Sequence, residues 1–158
     1  MAPRDRPVVA IDANALDRDG SPRDAVLDAF AAAVTAGAFR LVVPSGVAGE
    51  MRHAGAPDAV RAFAAGLAPP SRAAPLTPRQ HIDRIRVRAI LRGDGRPGKH
   101  DADAAHLSEA AEAGCTVFIT RDGKILRKRD ILRGALPPGF RVVTLEEFMA
   151  GRGAAPDA

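Results

Sequence analysis

The sequence predicts an α/β protein: a parallel sheet sandwiched between helices, in three layers (α/β/α). Three observations predict it. Short apolar runs alternate along the chain with longer segments of helical period, the order that gives parallel strands joined by crossover helices. The runs do not alternate apolar with polar residues, as expected of strands covered on both faces. Glycines stand where the helices should stop, and acids stand where two of the strands should end.

Pro7 to Ile11 is the first such run, a central strand closed by Asp12. Asp12-Ala-Asn14 begins a turn, and Asp19-Gly-Ser-Pro22 is loop chemistry. Asp24 to Ala36 is an alanine-rich helix with Val26, Phe30, Ala33 and Val34 on one stripe, stopped by Gly37. Arg40 to Val43 is a second strand. After the turn Pro44-Ser-Gly46, Val47 to Ala54 is a helix that carries Glu50. Pro57 to Gly66 reads as a helix with Val60, Phe63 and Ala64 inward, and Leu67 to Pro75 as a proline-rich connector with room for a short strand. Thr77-Pro78 is a helix start, a hydroxyl cap followed by proline at the first helical position. That helix runs to Leu91, with Ile82, Ile85, Ala89 and Ile90 expected inside and Arg79, Arg84, Arg86 and Arg88 on the other face.

The stretch from Lys99 to Leu126 is the richest in signals. Asp101 reads as the cap of a helix, Asp103 lies in its first turn, and Leu107, Ala110 and Ala111 share a face. Gly114 ends it. Cys115 to Thr120 is a buried strand, with Asp122 directly beyond. Gly123 to Leu126 forms a helical turn, Arg127 to Arg133 is basic with Ile131 and Leu132 interleaved, Arg141 to Thr144 is a last strand, and Leu145 to Met149 a closing helix. One domain over residues 1–150 is expected, with 151–158 a frayed tail.

Composition narrows the class. Apolar residues make up 46% and charged residues 27% of the 158, ordinary for a globular domain that needs no staples. The single cysteine, Cys115, excludes an internal disulfide framework. The N-terminus lacks an apolar signal-peptide core, and no stretch is long enough to span a membrane, so an intracellular, cytoplasmic protein is expected. The formal charge is +4, and of 23 basic residues only Lys99, Lys124 and Lys128 are lysines. Arginine suits phosphate contacts, although an arginine-biased, alanine-rich composition has the same appearance.

In parallel sheets, sites form outside the carboxyl ends of the strands. Asp12, Glu50, Asp103 and Asp122 each fit that edge. Gathered carboxylates repel unless a divalent cation joins them, and hard oxygen ligands suit Mg²⁺ or Mn²⁺. With such an ion, and with arginines around it, phosphodiester hydrolysis is the natural chemistry. Each acid also has an ordinary reading: Asp101 as a cap, Asp103 as a complement to the helix dipole, Asp122 as a turn residue, Glu50 as a solvated helix position. Asp12 is the hardest to dismiss.

These segments resemble the PIN-domain ribonucleases, and among them the VapC-type toxins of bacterial toxin–antitoxin pairs. The resemblance runs through Val8-Val-Ala-Ile-Asp12-Ala-Asn14-Ala-Leu16, Val43 to Met51 with Glu50, Asp103-Ala-Ala-His-Leu107, Val117-Phe-Ile-Thr120-Arg-Asp122 and Leu145-Glu-Glu-Phe148. It implies a metal-dependent endoribonuclease with Mg²⁺ or Mn²⁺ held by Asp12, Asp103 and Asp122. Glu50 is then a further pocket carboxylate, acting through water, and Asn14 and Thr120 orient the pocket. The resemblance also implies an RNA substrate, an antitoxin covering the pocket with an arginine on the acids, and a homodimer. Asp101 is an acid beside the pattern, as cap, extra ligand or both; His100 and His106 receive no role. The segment from Arg52 to Pro75 and the length of the chain depart from the compact toxins.

Two other classes compete. A non-catalytic or RNA-processing nucleic-acid module would keep the fold without a common ion site; with no Trp or Tyr, and with Phe30, Phe63, Phe118 and Phe148 at core positions, its binding would be electrostatic. A phosphatase-like domain would use Asp12 as nucleophile, but Asn14 stands where a second aspartate is needed and no phosphate-cradling GxxxxGK[ST] loop is present.

Overall fold

The computed structural model describes residues 6–53, 55, 58–65 and 75–153. Its strands are β1 (Val8–Ile11), β2 (Arg40–Val42), β3 (Val117–Ile119) and β4 (Arg141–Val143). They form one all-parallel sheet in the order β2-β1-β3-β4, with Val9 opposite Leu41 and Val117, and Phe118 opposite Val142. The helices are α1 (Arg23–Thr35), α2 (Ser45–Arg52), α3 (Asp58–Ala65), α4 (Pro78–Arg92), α5 (Asp101–Glu112), α6 (Gly123–Arg127), α7 (Arg129–Leu132) and α8 (Leu145–Gly153). Short 3₁₀ turns cover Ala13–Leu16 and Arg133–Ala135.

The period-two rule of a strand divides the core in two. Val9, Ile11, Val117, Ile119 and Val143 face a layer built by α1, α2, α3 and α8, where Phe30, Phe39 and Phe148 meet edge-on or tilted at 5.2–6.3 Å. Ala10, Phe118 and Val142 face the opposite layer, with Val87 and Leu91 of α4, Leu107 of α5, Ile125 of α6 and Leu132 of α7. The three-layer α/β/α arrangement follows from this division. Cys115 is buried in the second layer, and that burial pushes its thiol up to about 11, which leaves it a packing residue.

Most expected elements occur, with strands one to three residues shorter than the apolar runs. Thr77 caps α4 in a complete capping box with Gln80, and Gly114 ends α5 in the left-handed conformation (φ +82°). Three expectations are corrected. First, α4 does not bury Ile82, Ile85 and Ala89: Ile82 and Ile85 are 54% and 62% exposed, and Ala89 is exposed. Arg84, expected on the outer face, instead turns toward α5 and makes two 2.6 Å hydrogen bonds to Glu112, and that rotation carries Val87 and Leu91 inward. Second, Asp101 is not the cap of α5. His100 occupies that position with a left-handed backbone (φ 65°), and Asp101 is the first helical residue, exposed. Third, α8 runs past Met149 to Gly153, so the tail expected from Gly151 is helical at its start. The connector over residues 67–74 and the tail over 154–158 lie outside the described residues, as do Ala54, Pro57 and Gly66 and the side chain of Ala64.

The strand order positions the site. The chain leaves β1 for β2 on one side and later enters β3 on the other side of β1. The carboxyl ends of β1 and β3 therefore flank a topological switch point, where adjoining connections diverge and leave a crevice.

Candidate metal centre

Asp12 is the first residue past β1. Its N–H still joins the sheet, donating to Ile119 O at 2.8 Å, which fixes the side chain opposite Thr120. The carboxylate is 5% exposed. One oxygen, Oδ2, accepts a hydrogen bond from Thr120 Oγ1 at 3.0 Å, and the same hydroxyl accepts from the N–H of Asp122 at 3.1 Å. Burial pushes the Asp12 carboxyl up to about 6. The Thr120 hydrogen bond and nearby His106 oppose the rise, and the charges of Asp103 and Glu50 add to it. Desolvation dominates, because a carboxylate gives up more in leaving water than one hydroxyl returns.

Two helices bring partners. Helix α2 follows β2 and carries Glu50 on an exposed position, and α5 carries His106 inward. Donor atoms of Asp12, Glu50 and His106 lie within 4.8 Å of one another. His106 Nε2 is 3.8 Å from Glu50 Oε1, beyond hydrogen-bonding distance. The imidazole is 6% exposed, and its Nδ1 is sealed in the interior without a hydrogen-bond partner among the described residues. Gly46 makes room for the ring: a Cβ at position 46 would sit 2.5 Å from Nε2 and 3.0 Å from Cδ2. Glu109, one turn beyond His106, sets α2 in place by accepting hydrogen bonds from the N–H and the hydroxyl of Ser45 at 2.9 and 2.6 Å. Glu109→Ala removes this brace from the helix that carries Glu50. It is expected to cost about 1–2 kcal/mol, the scale of a lost helix cap, and to weaken divalent-cation binding, as thermal melts and a Mn²⁺ titration on the same variant will show.

The other acids go to different places. Asp103 is part-exposed and close enough to Asp12 to raise its pKa, while its Oδ2 lies 3.4 Å from His100 Nδ1; it is not in the three-donor group. Asp122 caps α6, its Oδ1 accepting from Lys124 N at 2.8 Å, and is also outside the group. Asp101 lines a cleft between α4 and α5 with Arg84, Arg88 and Ser108, on the side of α5 that meets the arginines. Asn14 Oδ1 accepts from the N–H of Arg121 at 3.0 Å, tying the loop after β1 to the loop after β3. Arg121 extends the tie to Asp19, whose carboxyl is held at about 2 chiefly by hydrogen bonds from Ser21. Arg23 secures the same loop by donating to the carbonyls of Asp17 and Ala15 at 2.8 and 2.5 Å.

A divalent cation fits the donors present. Metal–oxygen bonds of about 2.1 Å place neighbouring donors roughly 3 Å apart, so small side-chain movements close the set onto one ion. Two observations bear on such an ion. Asp12 is buried and reluctant to ionise, and His106 holds an unhydrogen-bonded imidazole, a condition that costs about 1–3 kcal/mol for a buried polar group. A cation would offset the first; bound at Nε2 it would leave Nδ1 without a partner. His106 had a faint signal in the sequence: it lies three residues after Asp103, on the same face of the helix. Glu109 had none, because its partner is a serine 64 residues away in the chain.

The fold and the site together define an α/β protein with an acidic pocket at its switch point. Comparison with protein-family models, with curated proteins and with solved structures finds no match.

Proposed function

We propose that this chain is a metal-dependent endoribonuclease of the PIN-domain class, acting as a VapC-type toxin. The observation that carries the reading is Asp12. It is buried at the switch point of a parallel sheet, hydrogen-bonded by Thr120 from the adjoining strand end, with Glu50 and His106 in reach of a common ion. Asp12, Glu50 and His106 would hold the ion, with Asp103 beside them. A bound Mg²⁺ or Mn²⁺ supplies an activated water and neutralises charge on a phosphoryl oxygen.

The chain's own residues supply the rest. Thr120 fixes which oxygen of Asp12 faces the pocket. Glu50, 53% exposed, borders a cleft of about 650 Å³ lined also by Asn14, Asp17 and His53, so it is open to solvent. On another side, a groove of about 230 Å³ reaches His100, the neighbour of Asp103. Arg92, Lys99, Lys124, Arg127 and Lys128 line this groove, and no acid does. Arg92 donates to the carbonyl of Gly95 and Lys128 to those of Ile90 and Leu91, while the side chains of Lys99, Lys124 and Arg127 form no ion pair or hydrogen bond among the described residues, which leaves three cations for a phosphate backbone. No helix among the described residues is long and apolar enough to cross a membrane. A cytoplasmic location, read from the composition, and a cognate antitoxin laying an arginine on the acids and a homodimer, which rest on the resemblance, complete the proposal.

The test is cleavage of end-labelled single-stranded RNA by the purified protein. Internal cuts are expected with Mg²⁺ or Mn²⁺ and none with EDTA. RNA retention without cut or metal binding would instead leave a non-catalytic module. Growth arrest on induction, relieved by Asp12→Asn, tests the toxin role.

A further inference from the structure

We infer that His106 is itself a ligand, through Nε2, and that the centre selects a first-row transition cation such as Mn²⁺ over Mg²⁺. This rests on the metal reading above and adds to it the ligating atom of His106 and a cation preference that four carboxylates would not give.

Three independent features carry the inference. The imidazole is all but sealed from water and makes no hydrogen bond among the described residues. A ring serving only to fill space needs no nitrogen, and a ring serving as a hydrogen-bonding brace needs a partner; His106 fits neither description. Its position is also built for it. Gly46 lacks the one carbon that would collide with Nε2, so α2 and α5 close together around this ring and direct it toward Glu50. Finally, His106 joins two carboxylates from different elements in one group of donors, and Nε2 is the nitrogen that lies 3.8 Å from Glu50 Oε1. The charged groups facing it are Asp12 from the end of β1 and Glu50 from α2, with Asp103 one turn earlier on its own helix.

The donor set then decides the cation. Two carboxylate oxygens and one imidazole nitrogen suit Mn²⁺ and the later first-row ions, whose affinity for nitrogen rises along the series. Mg²⁺ favours an all-oxygen octahedron, keeps its waters, and gains little from an imidazole.

The experiment uses the full chain freed of metal. Mn²⁺ and Mg²⁺ are titrated by calorimetry, and the Mn²⁺ complex is examined by pulsed EPR for nitrogen hyperfine coupling. Wild type should show that coupling and bind Mn²⁺ more tightly than Mg²⁺. His106→Gln should lose the coupling and weaken Mn²⁺ binding by at least about 10-fold, since loss of a mere outer-shell partner already costs about 10–100-fold, while Mg²⁺ binding changes little. A Mn²⁺ complex of the wild type without nitrogen coupling overturns the inference, and so does an unchanged Mn²⁺-to-Mg²⁺ ratio in the variant; in both cases the metal centre itself survives. If neither ion binds the wild type, the metal-dependent function falls with it. The wild-type spectrum alone decides the point should His106→Gln fail to fold.

Discussion

Asp12→Asn is expected to lower RNA cleavage by at least about 10³-fold and, without metal, to make the protein harder to unfold at pH 7.5. The two effects have one cause. The carboxyl titrates at about 6 in the folded chain against 3.8 for an unperturbed aspartate, chiefly through burial. Below pH 4 both states hold the proton and burial of the group is cheap. Between pH 4 and 6 the unfolded chain releases its proton while the folded chain keeps it, so stability falls as pH rises. Above pH 6 the folded chain carries the buried charge and the full penalty, about 3 kcal/mol for a shift of this size. Asparagine keeps the shape and can accept from Thr120 without the charge. Allowing about 1–2 kcal/mol for desolvation of its amide, a gain of about 1–2 kcal/mol is expected above pH 6, or a few degrees in Tm, reversing to a loss of about 1–2 kcal/mol near pH 4, where the wild-type carboxyl is protonated in both states. Melts of wild type and variant in EDTA across pH 4–8 check it. A variant less stable than wild type at pH 7.5 would mean that Asp12 is not held against its own desolvation.

Metal changes the wild type only. A cation that binds the folded state alone adds stability in proportion to its occupancy. The ranking of the two proteins at pH 7.5 should therefore narrow or invert when Mn²⁺ is added. A site built for structure rather than binding would not behave so, since a pocket that destabilises its own fold until it is filled has only its ligand to account for it.

The fold was largely legible because it rests on local signals. Four apolar runs without alternation, glycines after helices, and the Thr77-Pro78 start each report a nearest-neighbour preference, and these preferences agree with one another. The facing of α4 was not legible. Isoleucines at 82 and 85 are the more apolar choice, and the rotation that exposes them depends on Arg84 finding Glu112, 28 residues further on. The site divides in the same way. Asp12 could be placed because it closes a strand, and Glu50 because its helix follows a strand. In the sequence Asp101 reads as a cap beside the pattern, Asp103 as a dipole partner or a ligand, and Asp122 as a turn residue or a ligand, and spacing alone does not decide among these roles. In the fold Asp122 caps α6, Asp101 lines a cleft with Arg84 and Arg88, and Asp103 lies beside His100, near enough to Asp12 to raise its pKa. His106 was passed over because a lone histidine on a helix carries no sign of what packs on it. The missing sign was a glycine 60 residues earlier, at a position where only the folded chain shows that a side chain is forbidden.

Gly46→Ala should destabilise the protein by about 2 kcal/mol, although the same change on an open helix surface gains about 0.5–1 kcal/mol. The backbone at position 46 is helical and raises no objection to alanine. The objection is the imidazole. The new Cβ would stand 2.5 Å from Nε2 and 3.0 Å from Cδ2 of a ring that is only 6% exposed. Relief requires α2 to move outward, at the cost typical of an overpacked interior, and that movement carries Glu50 away from Asp12. His106→Ala removes the obstacle, so in that background Gly46→Ala should turn neutral or stabilising. Urea unfolding in EDTA of the wild type, both single variants and the double variant measures the coupling, expected at about 2–3 kcal/mol. Additive effects would show that the ring yields freely, and a ring that yields freely could not hold a ligand nitrogen in place. Strong coupling would instead mean that the small residue on α2 and the imidazole on α5 form one device, which sets how closely the two acids at the switch point approach.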